Sequence, residues 1–258
     1  MIYLKLFNTN AERTACTETQ EYVSYTEETD KVHIHEEQFF LKLTLDNGDL
    51  VEIEGSGELT SAIISAYQQT MVTAEIGNLC TSIGNMAFFQ CNALTNVTMA
   101  NSVTICGNNA FMACPALTNV KLSEKLEELN QTFAYCYGLQ SITIPNKVTI
   151  LRGTFSGCRS LQNITLSKNI TTTSNGAFGG CSGLTSITLY SKVTSIGDQD
   201  FSHCALTSIT SLAKTAPTLG VNVFQEMTSI GTLYVPQGSS GYDAWLAALP
   251  SGWTIVEQ

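Results

Sequence analysis

The sequence predicts an α/β solenoid of about seven stacked repeats. A parallel sheet lies on the concave side, with a small α+β cap before the array and a short helix–strand cap after it. Three observations carry this. Phe-x-x-Cys returns at Phe88/Cys91, Phe111/Cys114, Phe133/Cys136, Phe155/Cys158, Phe178/Cys181 and Phe201/Cys204, with Phe-to-Phe steps of 23, 22, 22, 23 and 23. A seventh phenylalanine, Phe224, follows after 23 more, with Met227 in the cysteine slot. After each cysteine comes a leucine and then an apolar–polar–apolar alternation, which is the pattern of a short strand with one buried face.

The unit can be followed element by element. Leu94, Leu117, Leu139, Leu161 and Leu184 stand three residues after their cysteines, and Leu206 comes one residue early. The strand pairs are Val97/Met99, Val120/Leu122, Ile142/Ile144, Ile164/Leu166 and Ile187/Leu189. A second apolar pair leads to the next phenylalanine, as in Leu126/Leu129, Val148/Leu151 and Val193/Ile196, with Cys80 and Cys106 filling this slot as small hydrophobes. One unit cannot bury its apolar edge alone, but stacked units form one continuous core. Seven rungs at roughly 4.8 Å make an array of about 34 Å.

A 22–23-residue unit of this kind falls in the leucine-rich repeat range. It resembles the BspA-like leucine-rich repeat of bacterial surface proteins, whose pattern runs approximately I-P-x-x-V-T-x-I-G-x-x-A-F-x-x-C-x-x-L-x-x-V. Val193-Thr194-Ser195-Ile196-Gly197-Asp198-Gln199-Asp200-Phe201-Ser202-His203-Cys204 follows it closely, with Asp200 in place of the alanine that Ala87, Ala110 and Ala177 supply elsewhere. The family proline stands at Pro145 and Pro236. The resemblance covers about residues 76–258. It implies a right-handed leucine-rich repeat solenoid and, by family habit, binding or adhesion at a cell surface.

Open solenoid ends need caps. Residues 237–258 are read as the closing segment. There Gly241 to Leu249 forms a short helix with Tyr242, Trp245 and Leu246 on one side, Pro250 stops it, and Trp253-Thr254-Ile255-Val256 adds a strand. Residues 1–75 are read as a separate acidic α+β module. One hairpin joins Glu21–Thr26 to Lys31–His35. A second joins Phe39–Leu45 to Leu50–Glu54 through Asp46-Asn47-Gly48-Asp49, Asn-Gly being a strong hairpin signal. Gly55-Ser56-Gly57 then opens a helix from Glu58 to about Gln69, with Leu59, Ile63, Ala66 and Tyr67 at helical spacing.

Charge separates the two parts. Only 13% of residues are charged and the formal net charge is −10. Residues 1–75 hold 14 acids against 4 bases, and the remainder holds 8 of each, so the whole net charge belongs to the first module. Serine and threonine, 56 residues in all, keep the array hydrated. The acidic balance excludes a nucleic-acid surface, which needs a basic face. No stretch reaches the ~18 apolar residues of a membrane-spanning helix. The first residues carry no basic region followed by an apolar run, so no secretory leader is read in this chain, and a surface location is implied by the resemblance alone. The chain is expected to be a monomer.

The chemistry-bearing residue types find structural explanations. Equivalent cysteines on stacked rungs point the same way, which leaves their Cβ atoms near 5 Å, too far for a relaxed disulfide. They are expected as inert buried thiols, and Cys-x-x-Cys zinc spacing is absent. His33-x-His35 with Glu37 is expected on the solvent side of a hairpin. His203 occupies a slot that holds Gln90, Ala113, Tyr135, Gly157 and Gly180 in other rungs, which reads as an exposed turn rather than a Cys–His pair. Gly55-Ser56-Gly57 lacks the Lys-Ser/Thr of a phosphate loop and is flanked by Glu52, Glu54 and Glu58. Asp46 to Asp49 lacks the spacing of a calcium loop. No catalytic residue, metal ligand or cofactor is predicted, and the chain is not expected to be an enzyme.

The outward strand positions are the candidate site. Thr98, Lys121, Thr143, Thr165, Thr188, Thr210 and Tyr234 stand between the buried residues of successive strands, with Tyr190 adding relief. Asn96, Asn119, Ser141, Asn163, Ser186, Ser208 and Thr232 precede them. This hydroxyl–amide surface is expected to hydrogen-bond a protein or glycan ligand. The expected function is a non-enzymatic scaffold for recognition or adhesion at a bacterial surface. The alternative is a structural or host-recognition protein encoded by a prophage, a reading that rests on the acidic first module, the lack of a leader and the opening Tyr3-Leu4-Lys5-Leu6-Phe7-Asn8-Thr9.

Overall fold

The computed structural model describes residues 38–258 and, before them, the backbone of three short strands. These are β1 (Leu4–Phe7), β2 (Val23–Ser24) and β3 (His33–Ile34). β2 pairs antiparallel with β3, Val23 opposite Ile34, as the first hairpin requires; its turn, along with His35 and Glu37, lies outside the described residues.

β4 (Leu41–Leu45) and β5 (Leu50–Ile53) form the second hairpin. Its turn is locked by Asn47, whose Oδ1 accepts from the Asp49 N–H at 3.0 Å and whose amide donates to the Asp49 carboxylate at 2.8 Å. The expected helix is shorter and starts later. Gly57–Leu59 is a strand, β6; the helix α1 covers only Ser61–Ile64, followed by a 3-10 turn at Ser65–Tyr67. Leu59 is fully buried and pairs with Ile83 of β8 (Cys80–Ile83), so tertiary pairing overrides the local helical spacing. Between them β7 (Met71–Ile76) pairs antiparallel with β4 and parallel with β9 (Asn96–Met99), so the hairpin sheet continues into the array.

From β9 onward each turn of the chain contributes two strands. They are β9 and β10 (Ile105–Cys106), β11 (Asn119–Lys121) and β12 (Leu129–Asn130), β13 (Ser141–Thr143) and β14 (Ile150–Arg152), β15 (Asn163–Thr165) and β16 (Thr172–Ser174), β17 (Ser186–Leu189) and β18 (Ser195–Ile196), and β19 (Ser208–Ser211) and β20 (Thr218–Leu219). β21 (Thr232–Val235), the helix α2 (Asp243–Ala248) and β22 (Thr254–Glu257) close the chain. The odd-numbered strands stack in parallel along one side, and the even-numbered strands along a second. With β7 before and β22 after, the seven expected rungs extend to nine turns on the first side, among the described residues.

The third side is the Phe-x-x-Cys segment, and its regularity has a backbone cause. Two residues before and two after each phenylalanine, the chain enters the left-handed region. Met86 and Gln90 flank Phe88 with φ of 54° and 56°, and Asn222 and Glu226 flank Phe224 with 56° and 59°. These kinks turn alternate N–H groups along the array. Met86, Phe88 and Gln90 donate to the carbonyls of Asn108, Ala110 and Met112 in the next rung at 3.0, 2.7 and 3.0 Å. Gly153, Gly157, Gly176 and Gly180 meet this demand without steric cost; elsewhere ordinary residues bear it.

Inside, the phenylalanines form one column. Neighbouring rings from Phe88 to Phe224 stack with centroids 4.7–6.0 Å apart and planes within 14° of parallel. Trp245 of α2 closes it, tilted 58° at 5.8 Å from Phe224, with its indole N–H donating to the Pro217 carbonyl at 2.8 Å. Tyr242 accepts from Ser211 at 2.6 Å and donates to Ala213 at 2.8 Å. Leu246, expected on this inner side, is 37% exposed; Leu249 is buried in its place.

The cysteines run beside the phenylalanine column. All eight described cysteines are free and buried. Thiols of Cys114, Cys136, Cys158, Cys181 and Cys204 donate to phenylalanine carbonyls of the rung before at 3.0–3.1 Å. Burial pushes the thiols of Cys106, Cys136 and Cys204 up to about 12 and that of Cys80 to about 11, which leaves them un-ionised at neutral pH.

Candidate binding face

The first-side strands position the candidate residues by register. Thr98 lies opposite Lys121, Thr143 opposite Thr165, Thr188 opposite Thr210, and Thr210 opposite Tyr234. Alternation puts them all on the face turned away from the core, because Val97, Ile142, Ile187, Ile209 and Leu233 beside them are buried. Tyr190 falls just past β17 and packs, half-buried, against the core.

The row is not one continuous sheet. Hydrogen-bonded pairing stops between β11 and β13 and again between β15 and β17. The first stop lies under a hollow of about 590 Å³, around which Thr98, Lys121, Thr143 and Thr165 come together with Asn96 and Ser141. Val120 is only partly buried on its floor, as Ile164 is one strand beyond Ile142, where Val97 and Ile142 are 2% and 5% exposed. Asn119 donates to Asn96 at 2.8 Å. Among the described residues, the side chains of Thr98, Lys121, Ser141, Thr143 and Thr165 meet no hydrogen-bond partner and remain available.

Three features escaped the sequence reading. Glu75 of β7 lies in register with Thr98, so the outward row begins one strand earlier and starts with an acid. Glu124 also lines the hollow. A second recess, about 340 Å³, lies beside β12 and β14 and is lined by Glu127, Glu128, Lys147 and Arg152, with Lys147 paired to Glu127 at 3.1 Å. A charge count would have found it, because 8 of the 16 charges after residue 75 lie between Lys121 and Arg159.

Other singled-out groups are placed plainly. His203 is an exposed turn residue with φ 58°, its N–H bonded to the Gln225 carbonyl at 2.8 Å. The slot tolerates many residue types because only its backbone is used. Gly57 runs into β6 and donates to Leu79 at 2.9 Å. Asp200, the residue in the alanine slot, is fully buried and accepts from the N–H groups of Ala177 at 2.8 Å and Gly197 at 2.7 Å. Burial raises its carboxyl above the ordinary value of 3.8 despite these bonds.

Comparison with known proteins agrees with this architecture. The family model of the BspA type leucine rich repeat region matches residues 65–153 and 149–244, with six copies of the repeat. The chain belongs to the BspA-type leucine-rich repeat family. Proteins with these repeats are in general non-enzymatic binding scaffolds. A leucine-rich repeat protein from Bacteroides ovatus is 26% identical with a TM-score of 0.57, the match covering 62% of this chain and 42% of that one. A leucine rich cell surface protein from Faecalibacterium prausnitzii is 25% identical with a TM-score of 0.58, covering 80% of this chain and 65% of that one. The BspA-type chain thus spans less than two thirds of either solved relative. No curated protein sequence matches it. Among the described residues no helix is long and apolar enough to cross a membrane.

Proposed function

We propose that this BspA-type protein is a recognition scaffold that binds a protein or glycan ligand on its first-side face, in an adhesion role at a bacterial surface. The observation that carries this is the hollow over the interrupted sheet. There, the hydroxyls of Thr98, Ser141, Thr143 and Thr165 and the ammonium of Lys121 converge without partners of their own, beside the paired amides of Asn96 and Asn119. Polar groups of this kind, held on strands and already desolvated on their core side, can hydrogen-bond a ligand without first breaking bonds within the chain. The similarity to the Faecalibacterium cell surface protein supports the setting.

The test is a screen of purified matrix proteins and defined glycans against the intact chain and a Thr143→Glu/Thr165→Glu double variant. Both substitutions lie on exposed strand positions, so the melting temperature should hold. Binding should fall at least tenfold; unchanged binding would place the site elsewhere.

A further inference from the structure

We propose that the ligand is an oligosaccharide bearing an isolated carboxylate, and that Lys121 is the residue that reads it. The proposal rests on the first-side face being the binding face.

Between Thr98 and Tyr234, Lys121 breaks a row that is otherwise hydroxyl. Thr98, Thr143, Thr165, Thr188 and Thr210 hold the equivalent positions, and Tyr234 ends the row. The Lys121 side chain is exposed, and among the described residues no carboxylate lies within ion-pair distance of it. An ammonium with no ion-pair partner, in a recess lined otherwise by neutral donors and acceptors and by Glu124, is a ready partner for one anionic group, through a charge-assisted hydrogen bond.

The remainder of the hollow suits a saccharide better than a protein. Hydroxyls and amides both donate and accept, as sugar hydroxyls do. No arginine lines the hollow and the one cation is Lys121, so a ligand there is held by hydrogen bonds and a single ion pair and not by the buried arginine anchors on which protein interfaces lean. Half-exposed Val120 offers the small apolar floor on which the C–H face of a sugar ring can rest.

Flanking acids set the spacing of charge on that ligand. Glu75 lies two strands from Lys121, roughly 10 Å at the ladder spacing, with Thr98 between them. Glu124 lines the same hollow. A dense polyanion would meet both. A single carboxylate among neutral sugars meets only Lys121.

The experiment uses the full chain and a glycan array of matched pairs, each acidic oligosaccharide beside its neutral counterpart. Sialylated lactose with lactose, and aldobiouronic acids with their carboxyl-reduced forms, are such pairs; polygalacturonate and poly-L-glutamate complete the set. Lys121→Thr reproduces the neighbouring rungs and should leave the fold intact. At least one acidic member should bind tenfold more tightly than its neutral counterpart. Lys121→Thr should erase that preference, while Thr143→Glu/Thr165→Glu should remove binding of both members of the pair. The proposal fails if no acidic member is preferred, if the preference survives Lys121→Thr, or if only poly-L-glutamate binds, which would mark an acidic peptide. Neutral binding lost in the double variant without any acid preference would keep the face and overturn the carboxylate. Binding untouched by every substitution would overturn both.

Discussion

The thiol of Cys158 donates to the carbonyl of Phe133 at 3.1 Å, and the same carbonyl accepts the backbone N–H of Cys136 at 3.1 Å. One buried oxygen is thus filled from its own rung and from the next. This explains why the slot takes cysteine rather than another small apolar residue: the position needs hydrophobic volume and a donor together. Cys158→Ala should cost about 1–2 kcal/mol, the sum of a small cavity and a lost donor. Cys158→Ser, which keeps the donor, should lose its packing but not the bond. Urea midpoints of the two variants against the parent give the comparison.

The same burial predicts alkaline sensitivity. Native thiols at Cys106, Cys136 and Cys204 hold their protons to about 12, against an ordinary 9.0 in the unfolded chain. Between those values the native state binds more protons, so stability falls as pH rises. The urea midpoint should be flat up to about pH 9 and then drop steeply. Ellman's reagent at pH 8 should label the eight described thiols only after denaturation, and a quantitative disulfide yield would contradict a ladder of separate, buried thiols.

Asp200 offers a paired test. Its carboxylate takes two amides, whereas the Gly107 and Gly220 amides of sister rungs bond backbone carbonyls at 2.8 Å. Asp200→Ala restores the alanine of other rungs and should cost less than about 1 kcal/mol, since those amides can return to the backbone pattern. Asp200→Asn sets an NH2 against an N–H and should cost about 1–3 kcal/mol. Because the native carboxyl is raised above 3.8, it contributes stability that grows as pH falls from neutral toward that value, and Asp200→Ala should remove this component of the pH profile.

The phenylalanine column should respond by position. Phe155→Ala, in its middle, should cost about 3–5 kcal/mol. Trp245→Phe keeps a ring over Phe224 but forfeits the bond to Pro217, and should cost about 1–2 kcal/mol. Thermal melts of both variants would show whether the end and the centre differ as expected.

Much of this was legible from the residues because the repeat is regular. Phe, Cys and Leu at one period give the rungs, their inner faces and the outward row of threonines. The left-handed flanks of each phenylalanine were hidden, since Gln90, Ala113, Tyr135 and His203 share no side-chain chemistry and only the backbone conformation is common to them. The strand at Leu59 was masked by helical spacing that a partner in Ile83 overrode. Of the candidate face, its members could be read, but the hollow could not. It depends on a break in pairing between β11 and β13 that no residue type announces.

The closure of the phenylalanine column by Trp245 has a mechanical meaning. Each rung of such an array is held by its neighbours alone, so a load applied at the C-terminus has no distant contact to share it. Trp245, Tyr242 and Trp253 form the fastening at that end, each ring bonded back to a rung carbonyl at 2.8 Å. Force would be borne first by the pairing of β22 with β21 and then by this latch, and the rungs behind them would come away singly, lengthening the chain in steps instead of letting go at once.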